Sequence, residues 1–316
     1  MGHIVTVTGE IPADQLGPTL AHEHLYCDVS VQSGRPDNVL TDVPLMVREL
    51  AYYREAGGRS IVELTPEDIG RDPLSLKAIS EQSGVQVVSG IAFYDPRLYP
   101  EWVREAGIDQ IADYFVREIE EGREGVRAGL IGELASHNAS ELDPAGYRLE
   151  PLEARVFKAA AKAQRRTGVA ISTHASLGRA GHAQLNVLED AGADLGKVVI
   201  GHCDVHWHEN PERDMEYYLP ILKRGASCEF DMIGWPDFTP DEIRAERIAA
   251  LVQLGYESQL LLGSDTCRLS LLHENGGRGF DFVSRSFLPR LRERGVTDTQ
   301  IQAMLVEAPG RVLSRR

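Results

Sequence analysis

Eight short apolar runs rich in β-branched residues, each followed by a longer stretch of helical period, limit most strongly the folds open to this chain. The runs lie near Thr19–His24, Ser60–Leu64, Gln86–Ile91, Ala128–Glu133, Val169–Thr173, Val198–His202, Ala226–Phe230 and Leu260–Ser264. Among the intervening segments, Val43–Glu55 closes at Gly57-Gly58 and Leu152–Arg166 closes at Gly168. Glycine just past a helical run is a stop signal, because it takes the left-handed conformation cheaply. Strands that alternate with helices pair in parallel. Eight such units over about 250 core residues match a closed (β/α)8 TIM barrel, and this α/β fold is expected as one domain over residues 1–316. An open doubly wound sheet would need a glycine-rich phosphate loop after the first strand. Leu16 to Leu25 contains none.

The chemistry gathers at the ends of those runs. His22-Glu23-His24 closes the first strand, and side chains two apart share a face, so His22 and His24 can share one cation while Glu23 points away. Glu133 ends the fourth strand, His174 follows the fifth, His202 ends the sixth and Asp265 follows the eighth. All lie at carboxyl ends of strands, the face on which barrel enzymes build their active sites. Four imidazoles and two carboxylates converging there suit two divalent cations. Asp204 and Asp231 are candidates to orient the imidazoles from behind. His206 and His208 repeat the two-residue spacing but read as loop residues, and His3, His137 and His182 read as surface or capping histidines.

The same residues carry a resemblance. Gly17-Pro-Thr-Leu-Ala-His-Glu-His-Leu25, Ile171-Ser-Thr-His174, Gly201-His-Cys-Asp204, Phe230-Asp-Met-Ile-Gly234, Asp265 and Asn275-Gly-Gly-Arg-Gly-Phe-Asp281 together span most of the chain. It resembles the phosphotriesterase-related branch of the amidohydrolase superfamily, above all the phosphotriesterase homology proteins and phosphotriesterase-like lactonases. The resemblance implies a binuclear centre of zinc, manganese or cobalt and hydrolysis of esters, lactones or phosphotriesters. His22, His24 and Asp265 would hold the buried ion, His174 and His202 the more exposed one, and Glu133 would bridge them. Organophosphate-hydrolysing members carry a carboxylated lysine at that bridge, so metal binding here is expected not to need bicarbonate. A metal-bridging hydroxide would attack the substrate, with Asp265 as the catalytic proton acceptor.

Substrate residues are sought in the loops after the strands. Tyr94, Asp95, Arg97 and Tyr99 follow the third, Trp235 the seventh, and Arg268, His273 and Arg278 the eighth. Tyr94, Arg268 and Arg278 are the chosen substrate contacts. Arg268 leads them, three residues past Asp265 and able to pair with a carboxylate or phosphate. Two departures count against organophosphates and acyl-homoserine lactones. Gly90-Ile91-Ala92 lacks the bulky aromatic found there in those members, and Met232 stands where the acyl-homoserine lactonases have arginine. The first choice is a small lactone, phosphorylated or carboxylated. A phosphotriesterase or an amidase on the same centre is the alternative, as is a catalytically silent small-molecule-binding barrel.

Composition narrows the setting. A formal charge of −15 argues against binding nucleic acid, which needs a basic face. No apolar run reaches the length of a membrane span, and Met1 to Glu10 has neither a basic start nor an apolar core for a signal peptide. Cys27, Cys203, Cys228 and Cys267 lack CxxC spacing and read as reduced thiols. The expectation is a cytoplasmic enzyme acting on a small molecule, with no nucleic-acid or membrane partner and a homodimer implied by the family alone.

Overall fold

The computed structural model describes residues 2–137, 147–175 and 180–315. In chain order the strands are β1 (His3–Thr6), β2 (Gly9–Pro12), β3 (Thr19–Glu23), β4 (Cys27–Asp28), β5 (Val39–Leu40), β6 (Ser60–Glu63), β7 (Gln86–Ile91), β8 (Leu130–Ser136), β9 (Ala170–Ala175), β10 (Val198–Ile200), β11 (Ser227–Phe230) and β12 (Leu260–Leu262). β3 and β6 to β12 form one sheet in the order β12-β11-β10-β9-β8-β7-β6-β3, every pairing parallel. Helices such as Val43–Glu55, Pro73–Ser83, Ile108–Glu120, Pro151–Thr167 and Pro211–Lys223 make the crossovers. The two outermost strands then meet. Asp265 N donates to His22 O at 3.1 Å, and the buried Glu23 carboxylate accepts from Ser264 N at 2.7 Å, Ser264 Oγ at 2.7 Å and Thr266 N at 2.9 Å. The fold is a (β/α)8 barrel, and the glutamate that turns away from the metal-facing histidines fastens its seam.

The strands bury both faces, as parallel strands do. Ala21, Val62, Val88, Leu130, Ala170, Val199 and Leu261 pack inside the barrel, with Ile4, Leu16, Val312 and Leu313 in the same cluster. Their neighbours Leu20, Ile61, Val87, Ile131, Ile171, Ile200 and Leu262 pack with the helices. Strict alternation from Ala21 and Leu130 would turn His22 and Glu133 toward the helices. Register shifts between Leu20 and Glu23 and between Ile131 and Leu134 prevent this. Such irregularities re-aim a side chain, and here both residues face the interior.

The strand ends differ from the sequence expectation for a physical reason. β10 stops at Ile200 and β12 at Leu262, because the backbone leaves the ladder at His202 (φ 53°) and Asp265 (φ 44°), both in the left-handed region. β8 instead continues past Glu133 to Ser136. The β1–β2 hairpin precedes the eight expected strands and adds Ile4 to the inner cluster. Among the described residues no helix is long and apolar enough to cross a membrane.

Candidate metal centre

His22, His24, Glu133, His174, His202 and Asp265 meet at the carboxyl end of the barrel. His22 Nε2 lies 3.7 Å from Glu133 Oε1, His24 Nε2 lies 3.7 Å from Glu133 Oε2 and 3.2 Å from Asp265 Oδ1, and His202 Nε2 lies 3.5 Å from Glu133 Oε1. Donors sharing a tetrahedral ion at bonds of about 2.1 Å sit roughly 3.4 Å apart. His174 Nδ1 contacts Glu133 Oε1 and stands 2.7 Å from His202 Nε2. His22 Nε2 is fully buried and has no hydrogen-bond partner. A buried imidazole nitrogen aimed at carboxylates and other imidazoles is what a cation site requires, and an apolar core would not tolerate it. Two ligand groups, His22–Glu133–His202 and His22–His24–Asp265, share His22. The donor set fits two ions of the zinc, manganese or cobalt class.

Close approach of the strands permits this. A Cβ on Gly201 would lie 2.0 Å from Thr173 O, and one on Gly263 would lie 2.9 Å from His22 O. No larger residue could precede His202 or Ser264-Asp265 without spreading β9 from β10 or opening the seam.

Behind the donors, oxygen acceptors fix the tautomers. Asp231 Oδ1 lies 2.8 Å from His202 Nδ1, and Asp231 Oδ2 and Glu229 Oε2 each lie 3.1 Å from His22 Nδ1. Thr65 Oγ1 lies 3.0 Å from His24 Nδ1 and gives its own proton to Glu63 at 2.5 Å, so it accepts from the imidazole. Each of these rings thus turns Nε2, the nitrogen a cation would take, into the centre. Burial resists ionisation of Glu133, yet His174, His202 and His22 hold it well below the usual carboxylate range. Burial likewise opposes ionisation of Asp265, and the hydrogen bond and charge of His24 outweigh it.

A cavity of about 160 Å³ opens beside the cluster, lined by His174, His202, Asp265 and Arg268 with Val205, Met232, Trp235 and Phe238 among its apolar walls. Arg268 lies over the Trp235 ring, its Cζ 4.6 Å from the centroid. The indole N–H donates to Ser264 O at 2.8 Å, which fixes that platform. Arg268 therefore lines the cavity from a fixed aromatic platform.

The family model for the phosphotriesterase family matches residues 2–313. The phosphotriesterase homology protein of Escherichia coli is 33% identical over 298 residues, covering 94% of this chain and 97% of that protein. The chain belongs to the phosphotriesterase family. The Escherichia coli protein's crystal structure, with phosphate in its active site, superposes with a TM-score of 0.87, covering 95% of this chain and 99% of that one. A lactonase from Listeria monocytogenes gives a TM-score of 0.88 at 26% identity, covering 99% of both chains. The N-acetyltaurine hydrolase of Salmo salar is 28% identical over 358 residues, covering 99% of this chain and 98% of that protein. This member of the phosphotriesterase family is accordingly a metal-dependent hydrolase.

Several expectations need correction against this family site. Arg278 is half-buried beside Trp235 and Phe282, and its Nη2 donates to Ser264 O at 2.6 Å. Tyr94 lies beside His174, its hydroxyl 3.4 Å from the ring's Nε2, and Asp68 accepts from its backbone N–H at 2.7 Å. Arg97 pairs with Asp95 and is exposed, Tyr99 packs on Phe93 in the core, and His273 pairs with Asp281. Asp231 faces the His22 and His202 imidazoles, whereas Asp204 accepts from Arg244 Nε at 2.6 Å. His137, read as a surface or capping residue, stacks on His174 with ring centroids 5.3 Å apart, because β8 extends to carry it there. His208 pairs with Asp214 outside the cluster. Glu229 was overlooked. Its spacing of two from Asp231, which directly follows β11, is the available signal.

Proposed function

We propose that the chain uses two divalent cations to hydrolyse a small lactone or ester that carries an anionic group. The observation that supports this most is the convergence of His24, His202, Glu133 and Asp265 on His22, whose buried Nε2 has no hydrogen-bond partner. His22, His24 and Asp265 would hold one cation, His174 and His202 the other, and Glu133 would bridge them. When bound, the pair polarises the scissile bond and makes water nucleophilic near neutral pH.

The chain's own residues do the rest. Asp265, whose Oδ1 lies 3.2 Å from His24 Nε2, takes the attacking water's proton on its other oxygen and returns it to the leaving oxygen. Arg268, held over Trp235, pairs with the anionic group of the substrate. Val205, Met232, Trp235 and Phe238 keep water from the bound molecule. A secondary reading, cleavage of an N-acyl amide, is favoured by the relatives that act on N-acetyltaurine.

The test compares kcat/KM for lactones, esters and N-acetyl amides, each with and without a carboxylate, in the wild type and Arg268→Met. A charged hydrogen bond is worth about 1.5–3 kcal/mol. The variant should therefore lose roughly 10- to 150-fold on carboxylated lactones and little on neutral ones. Turnover confined to amides would select the secondary reading. No turnover of any class would favour a silent binding barrel.

A further inference from the structure

We infer that Tyr94 is the positioning residue of His174 rather than a substrate contact, an inference that rests on the binuclear reading above. His174 turns Nδ1 to Glu133 and His202, and turns Nε2 to the Tyr94 hydroxyl at 3.4 Å. A neutral imidazole carries one N–H, and the nitrogen that ligates a cation cannot be the one that carries it. The hydrogen therefore sits on Nε2, and the phenol oxygen accepts it.

This completes a pattern. His22, His24 and His202 each have an oxygen on the nitrogen facing away from the centre: Asp231 and Glu229, Thr65, and Asp231 again. Among the described residues, the oxygen on that nitrogen of His174 is the Tyr94 hydroxyl. The phenol is also held firmly. Asp68 accepts from Tyr94 N at 2.7 and 3.0 Å and from Asp95 N at 2.8 Å. The ring stands edge-on to His174 at 4.8 Å and to His137 at 4.6 Å. Trp235 and Arg268 line the cavity together with His174.

A neutral phenol is a weaker acceptor than the carboxylates behind His22 and His202, and the contact is longer. The cation shared by His174 and His202 is thus the one that depends on it. Removing such an outer partner typically costs about 10- to 100-fold in metal affinity.

The experiment titrates metal-free wild type and Tyr94→Phe with cobalt(II), following both calorimetry and the visible absorption of the bound ion. The phenylalanine keeps the ring contacts and deletes only the hydroxyl. The expected result is one ion bound as in the wild type and the second weakened by about tenfold or more. The absorption of that second ion should change, and KM at saturating cobalt should not. Two ions bound by Tyr94→Phe with wild-type affinity and spectrum would overturn the inference, and a raised KM alongside would return Tyr94 to the substrate. A wild type that takes up fewer than two ions would overturn the binuclear reading and this inference together.

Discussion

In the proposed centre Glu133 takes the bridging place for which the resemblance implies a carboxylated lysine in organophosphate-hydrolysing members. A glutamate carries its charge without carbon dioxide. Metal-free protein should regain its full metal complement equally well in bicarbonate-free and bicarbonate-containing buffer, as elemental analysis would read; a requirement for bicarbonate would contradict the bridging role. Protons give a second residue-scale prediction. In the metal-free chain burial works against charging His22 and His202, but Asp231's charge and hydrogen bonds, aided by Glu133, raise both well above the ordinary histidine value. That favours the protonated rings in the metal-free chain, and a cation must expel those protons to bind. Calorimetric metal titration at pH 7 in buffers of different ionisation enthalpy should reveal net proton release, and affinity should rise with pH. Binding without proton release would show that the rings are neutral beforehand.

At the scale of elements, the loop after β11 is held by one buried side chain. Arg244, in the helix Asp241–Gln253, donates to Asp204 at 2.6 Å, to Asp241 at 2.9 Å, to Trp235 O at 3.2 Å and to Thr239 O. Asp204 in turn accepts from the backbone of Asp231 and Met232. Arg244→Leu should destabilise the protein by about 3–5 kcal/mol, because it leaves buried carboxylates unpaired. Urea unfolding followed by tryptophan fluorescence would measure it, and a loss under about 1 kcal/mol would deny the network that role. None of this could be read from the sequence, since Arg244 and Asp204 lie on different elements 40 positions apart. The six candidate ligands were legible because each falls at the carboxyl end of a β-branched run. How His22 and Glu133 come to face inward was not, because it depends on register shifts that a simple two-residue period does not contain. Tyr94 and Arg278 were misplaced for a related reason. Proximity along the chain to a strand end does not reveal that Asp68 or Ser264 O will capture the residue first.

Over the whole molecule, the barrel separates support from chemistry. An inner layer of Ala21, Val62, Val88, Leu130, Ala170, Val199 and Leu261 fills the interior. The donors come off the carboxyl ends of β3, β8, β9, β10 and β12, where Glu23 fastens the seam beside them. The overall charge of −15 makes the positioned cation of Arg268 the more telling feature for an anionic substrate, since the general field repels one. Everything in this account depends on two cations sharing Glu133. Counting divalent metal per chain by elemental mass spectrometry, in protein purified without chelators and in Glu133→Ala, tests that most directly. A shared binuclear centre requires close to two ions per wild-type chain and a sharp fall in the variant. One ion or none, unchanged by the substitution, would contradict it.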